Sequence, residues 1–222
     1  MSKMERLQPE RTEGTVSLYN RIQGRSVERL AAMSDGIFAV GMTLLVLDLH
    51  IPTAAQVHGE GELLAALCAM GPQWVAYAMS FLTLGIFWAG QQTQLNPIGE
   101  GTRDLTWIHL GFLFAVTLLP LSTRLLAEFI TFRAALLIYW LNILALGAML
   151  YWSWTYATHA GLIKVDTPEE VRGSICRRIV IAQTLYATGA ALCVINTWVS
   201  IGWIVAVQLN YALAPRMWWR KR

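Results

Sequence analysis

Asp35 is the first residue whose surroundings suggest chemistry. It follows Ser34 and stands six residues after Arg29, in a polar cluster (Glu28, Arg29, Ser34, Asp35) that runs straight into an apolar stretch. That stretch, Gly36 to Leu47, is interrupted only by Thr43 and stopped by Asp48. A carboxylate at the edge of a hydrocarbon layer is costly, which marks it as a functional position. The same pattern fits a signal anchor or a plain membrane helix with polar flanks. On a helical wheel Gly36, Val40, Thr43 and Leu47 fall in one narrow sector. This stripe could line a narrow pore, or it could pack against another helix, because small and hydroxyl residues are common at helix contacts in membranes. Asp35 lies about 140° away from Val40 on the wheel, so it faces neighbouring helices. Arg29 and Asp35 sit on different faces, which excludes the usual i,i+4 pairing.

Other chemistries find little support. No nucleophile–base arrangement, phosphate-binding glycine loop or paired catalytic carboxylates can be assembled, so an enzyme is not expected. The glycine-rich carbonyl filter Thr-Val-Gly-Tyr-Gly is absent. Cys68, Cys176 and Cys193 are isolated and odd in number, without metal-ligand spacing, and the four histidines (His50, His58, His109, His159) are equally scattered. No cofactor is implied. Asp35, Asp104 and His109 could together serve a proton-coupled carrier or a proton leak path, a different class of function. The two halves of the chain show no inverted repeat, which weakens the carrier version.

The elements that must position these residues are membrane helices. The chain has 222 residues, of which 55% are hydrophobic and only 14% charged, with ten tryptophans. Few soluble domains combine these values, so an integral membrane protein is expected, with the bilayer rather than nucleic acid as its surroundings. Residues 1–30 read as a polar, basic cytoplasmic arm without the apolar core of a cleavable signal peptide. A six-span membrane domain is expected over 31–215, followed by a basic cytoplasmic tail at 216–222. The spans are placed at 31–50, 72–92, 105–127, 133–157, 179–196 and 198–213, each near the ~20 residues a bilayer requires. Residues 62–70 read as a short interfacial turn of helix or an early start to the second span. Pro120 predicts a kink within the third span. Asp166 reads as an N-cap ahead of the acidic turn Glu169-Glu170, opening a helix that continues into the membrane.

Charge sets the orientation. With both termini inside the cell, all of the 17 Lys and Arg residues except Arg124 and Arg133 lie on the cytoplasmic side.

Arg29-x-x-x-Met33-Ser34-Asp35, followed by Gly-Ile-Phe-Ala-Val-x-x-Thr-Leu-Leu-Val-Leu-Asp, resembles the signature of the transmembrane protein 175 family of potassium-permeable channels. The family's motif is R-x-x-x-F-S-D, with Met33 here in place of Phe, a swap that keeps bulk and apolarity. The resemblance continues through Phe87-Trp88, Asp104 and the run Leu118 to Thr123, covering roughly residues 29–126. It implies an all-α homotetramer of six-span subunits in a bacterial plasma membrane. The first helix of each subunit lines a central pore, and potassium is the permeant ion. Rings of side chains form a hydrophobic constriction in place of a P-loop filter. Carried over by distance from Asp35, the lining positions are Val40, Thr43 and Leu47. Arg29, Ser34, Asp35 and His109 then belong to a polar network on the cytoplasmic side.

Two departures accompany the resemblance. Gln91 stands where many relatives have His, and His109 where they usually have Asn. Both replacements still donate and accept hydrogen bonds, so the network is expected to survive with altered partners. Val40 is smaller than the Ile or Leu usual at its ring, which predicts a wider or wetter constriction. The Thr43 hydroxyl could replace part of an ion's water shell or bond back to its own helix. Asp48 could concentrate cations at the outer mouth or be an ordinary interfacial carboxylate.

Overall fold

The computed structural model describes residues 27–213. They form eight α-helices: α1 (Val27–Leu47), α2 (Glu60–Ala69), α3 (Gly71–Leu95), α4 (Arg103–Thr117), α5 (Leu119–Glu128), α6 (Arg133–His159), α7 (Glu169–Ala191) and α8 (Thr197–Leu213). Most of residues 1–30, and all of 216–222, lie outside the described part. α1 begins at Val27, so the last four residues of the expected arm are already helical. The helix that carries the fifth span opens at Glu169, ahead of the apolar run as its acidic turn suggested, but its N-cap is Pro168 rather than Asp166. The acidic side chains Glu169 and Glu170 favour the positive end of the helix dipole, which carries the helix out past the membrane edge.

The remaining boundaries follow from local chemistry. Pro72, in the first turn of α3, needs no intrahelical N–H there. α2 joins α3 at a 47° bend. Thr102 caps α4 by accepting a hydrogen bond from the Leu105 amide at 3.2 Å. Pro120 cannot donate to the carbonyl four residues back, and the helix breaks at Leu118, so α4 and α5 are two parts of one span. α6 ends in a Schellman turn: Leu162 N–H bonds Ala157 O at 3.0 Å and Gly161 N–H bonds Thr158 O at 3.3 Å. Gly161 has φ +67°, a conformation that favours glycine.

Among the described residues, three helical stretches are long and apolar enough to cross a membrane: α1, α4–α5 and α6. The bent pair α2–α3 makes a fourth. α7 carries charges through its first turns, and α8 has only 17 residues.

A single large core holds the bundle. Leu84, Phe112, Val116, Leu136, Tyr139 and Ile204 meet there, all fully buried. α3 is central, packing on α1, α5 and α8, while α4 packs on α6. At one end the loops after α3 and α6 are clamped together. Gly99 N–H bonds Leu162 O at 2.8 Å, Lys164 N–H bonds Pro97 O at 2.9 Å, and Lys164 Nζ bonds Asn96 O at 2.7 Å.

Candidate functional site

α1 has two unlike faces. Leu30, Ser34, Phe38, Gly41 and Leu45 are buried, spaced three or four residues apart as one side of a helix requires. Phe38 meets Phe112 of α4 with ring centroids 5.9 Å apart. The opposite side is uncovered. Val40 is 57% exposed and Leu47 75%, with Gly36, Ala39, Thr43, Leu44 and Val46 also exposed. The stripe drawn on the helical wheel is therefore the face that α1 turns away from its own subunit.

Two sets of hydrogen bonds fix the rotation of α1. The first is buried. Ser34 Oγ donates to Leu30 O at 2.8 Å and accepts from Gln91 Nε2 at 2.7 Å. His109 Nε2 lies 2.7 Å from Ser34 Oγ and 2.8 Å from Gln91 Nε2. The tautomer of the ring sets its role: an unprotonated Nε2 accepts from Gln91 Nε2, and a protonated one donates to Ser34 Oγ. Three helices, α1, α3 and α4, are thus joined through one polar point inside an apolar core. Gln91 and His109 both reach Ser34 in this geometry, while Asp35 belongs to a separate set.

The second set lies at the surface of the subunit. Asp35 Oδ1 accepts from Trp88 Nε1 at 2.7 Å and from Gln92 Nε2 at 2.8 Å. These short bonds to a carboxylate are of the stronger, charge-assisted kind. Asp35 does face a neighbouring helix, and that helix is α3. Trp88 and Gln92 are four apart on α3, one turn above the other. Gln92 went unnoticed in the sequence, although its i+4 spacing from the Trp88 of the resemblance was a usable signal.

The other expected residues are dispersed. Arg29 is exposed in the first turn of α1. Thr43 Oγ1 bonds back to Ala39 O at 3.0 Å and Val40 O at 2.9 Å, so its proton is engaged within its own helix while its lone pairs remain. Asp48 follows the end of α1 and is half-buried. Asp104 accepts from Tyr156 OH at 3.2 Å. Asp35, Asp104 and His109 therefore have separate partners, and no hydrogen bond links the three into a relay among the described residues.

The sequence reading missed a second buried network. Thr123 Oγ1 donates to Ser80 Oγ at 2.6 Å, Ser80 Oγ to Tyr139 OH at 3.3 Å, and Tyr139 OH pairs with Thr83 Oγ1 at 3.0 Å. Gln208 Nε2 adds a bond to Thr83 Oγ1 at 2.7 Å. This chain ties α5, α3, α6 and α8 together. Its members are four hydroxyls on three helices and one amide on a fourth, a pattern that no local spacing reveals.

Comparison with known proteins identifies this architecture. Residues 29–120 match the family described as endosomal/lysosomal potassium channel TMEM175. A potassium channel of Streptomyces collinus is 33% identical over 147 residues, 63% of this chain and 70% of that protein. The chain belongs to the TMEM175 family. It is an all-α, multi-pass membrane protein with the TMEM175 fold. The crystal structure of a lysosomal potassium-selective channel TMEM175 homologue from Chamaesiphon minutus superimposes with a TM-score of 0.74 at 26% identity, covering 84% of this chain and 96% of that one. The human endosomal/lysosomal proton channel TMEM175 is 35% identical over 109 residues, 47% of this chain and 22% of the human protein. The TMEM175 match covers both polar sets of α1, since Ser34, Asp35, Trp88, Gln91, Gln92 and His109 all fall inside it.

Proposed function

We propose that the chain is a potassium-permeable cation channel. Conduction is passive, through a pore lined by α1 from several copies, and Val40, Thr43 and Leu47 form its side-chain constriction. The observation that carries this reading is the uncovered face of α1. The apolar run of α1 from Gly36 onward leaves Val40 and Leu47 unpacked within the subunit, while Ser34 and Asp35 anchor its rotation. In a membrane, that face fits a helix that meets its own copies and a narrow, dewettable path. Beside it, Met33, Gly36, Leu44, Thr117 and Pro120 border a groove of about 380 Å³, which suits the close approach of another subunit. The names of the Streptomyces and Chamaesiphon relatives favour potassium as the permeant ion.

The finer assembly belongs to the same proposal: a homotetramer of six-span subunits in a bacterial plasma membrane, with both termini cytoplasmic. The basic residues after α3 and α6 support the orientation. Arg29 joins Ser34, Asp35 and His109 at the cytoplasmic end, and Asp48 draws cations to the outer mouth.

The test is potassium-gradient flux into liposomes, comparing wild type with Val40→Ile and Leu47→Ala. Flux that responds to both changes supports the reading. The human relative's name favours a second reading, proton conduction. Flux driven only by a pH gradient and indifferent to both substitutions would replace the first reading with that one.

A further inference from the structure

α3 and α7 barely approach each other, and the space between them is a lateral cleft of about 190 Å³ floored by α6 and bordered by α8. Its walls are mostly apolar, with Ile86, Leu150, Ile179 and Ala182 among them. Three polar side chains nevertheless line it with an atom left unpaired: Gln94 Nε2, Gln183 Oε1 and Tyr186 OH. Gln94 is 4% exposed and Tyr186 1%. An unpartnered buried polar atom costs about 1–3 kcal/mol, so three around one cleft point to a missing partner.

The position of Gln183 is itself built in. Its amide lies over Gly147, where a Cβ would collide with it, and Nε2 reaches Ile143 O at 3.3 Å. Only a residue without a side chain at 147 leaves room for the amide at this edge of the cleft.

One cation stands at the rim. Arg178 lines the cleft beside the Tyr211 phenol, and no hydrogen bond or ion pair engages it among the described residues. Arg178 and Tyr186 are eight residues apart on α7, about 12 Å along the helix axis. With the cytoplasmic-termini orientation, Arg178 sits at headgroup level on the inner side and Tyr186 lies deeper in the hydrocarbon.

We infer that this cleft binds an anionic amphiphile from the inner leaflet, its oxyanion head on Arg178 and the upper part of its acyl chain between α3 and α7. A free oxygen of the phosphate or carboxylate head supplies an acceptor for Gln94 Nε2. The volume is equivalent to about six waters, too small for a whole lipid, so the rest of the chain stays in the bilayer. The shared chemistry is a phosphate or carboxylate on an acyl chain, and the inference rests on the proposed orientation but not on ion conduction.

Native mass spectrometry of the purified full-length protein tests it. Phosphatidylglycerol, oleate and the zwitterionic phosphatidylcholine are added in separate arms. Retention of phosphatidylglycerol or oleate at least fivefold above phosphatidylcholine, lost in Arg178→Gln and in the cleft-filling Ala182→Trp, supports the site and tells phosphate from carboxylate. Arg103→Gln, an exposed cation on α4 outside the cleft, is the control. Equal retention of all three lipids, or an equal loss in Arg103→Gln, overturns the proposal. Folding of each variant is checked by helical circular dichroism. If Ala182→Trp fails to fold, Arg178→Gln against Arg103→Gln decides alone. Because the readout is binding, its failure is separate from any failure of potassium flux.

Discussion

Gln91 Nε2 and His109 Nε2 lie 2.8 Å apart in the buried heart of the bundle, and both reach Ser34 on α1. The packing of α1, α3 and α4 therefore depends on a polar contact whose members are each at most 1% exposed. His109→Leu takes one partner each from Ser34 and Gln91, which keep their bond to each other, at an expected cost of about 1–3 kcal/mol. The double change Gln91→His with His109→Asn restores the pair that the family resemblance led us to expect, and should recover most of that loss. Thermal unfolding in detergent micelles measures both. A double variant no more stable than His109→Leu would mean that the surrounding shape, not the hydrogen bonds, sets the cost.

Asp35 is held differently. Its carboxylate takes two donors from α3, Trp88 and Gln92, at the exposed side of the subunit. Asp35→Asn keeps an oxygen for both but removes the charge, while Asp35→Ala removes both bonds. Stability should fall in that order. A double-mutant cycle with Trp88→Phe should return a coupling of about 1 kcal/mol. Coupling near zero would show that the Trp88–Asp35 bond contributes nothing net.

The chain Thr123–Ser80–Tyr139–Thr83, with Gln208 joining it, has no role in the proposed pore and so should act on stability alone. Gln208→Leu leaves Thr83 with its other partners and removes a buried amide whose Oε1 is already unpaired. Tyr139→Phe breaks the chain at its centre, leaving Ser80 and Thr83 without the phenol. Tyr139→Phe should cost about 1–2 kcal/mol and Gln208→Leu less, because it also relieves an unsatisfied group. Both should leave flux per folded protein unchanged in the liposome assay.

What the sequence disclosed follows from where its signals are local. The apolar period exposed α1 and its uncovered stripe, and Pro120 located the break at Leu118 to within a residue or two. The acidic turn Glu169-Glu170 marked the opening of α7 ahead of its apolar run, and only the cap was misplaced, at Asp166 instead of Pro168. Ser34 and His109 stood out as polar residues in apolar surroundings, but their meeting through Gln91 joins residues 57 and 75 positions from Ser34. The Ser80–Tyr139 chain and the Gln183–Gly147 contact are of the same kind. Each depends on which helices become neighbours, and no spacing within a single helix encodes that.

Thr43 separates two accounts of the stripe. Its hydroxyl proton is bound to the Ala39 and Val40 carbonyls, so the helix gains nothing from it that needs an ion. The lone pairs still face outward on an exposed side, between Val40 and Leu47. If they replace part of the hydration shell of a passing ion, Thr43→Val should reduce potassium flux severalfold, while Thr43→Ser should retain it. Neither change should move stability by more than ~0.5 kcal/mol, because the position is exposed within the subunit and the carbonyls keep their helical bonds. If Thr43→Val and Thr43→Ser conduct alike, the hydroxyl serves only its own helix, and the constriction is apolar throughout.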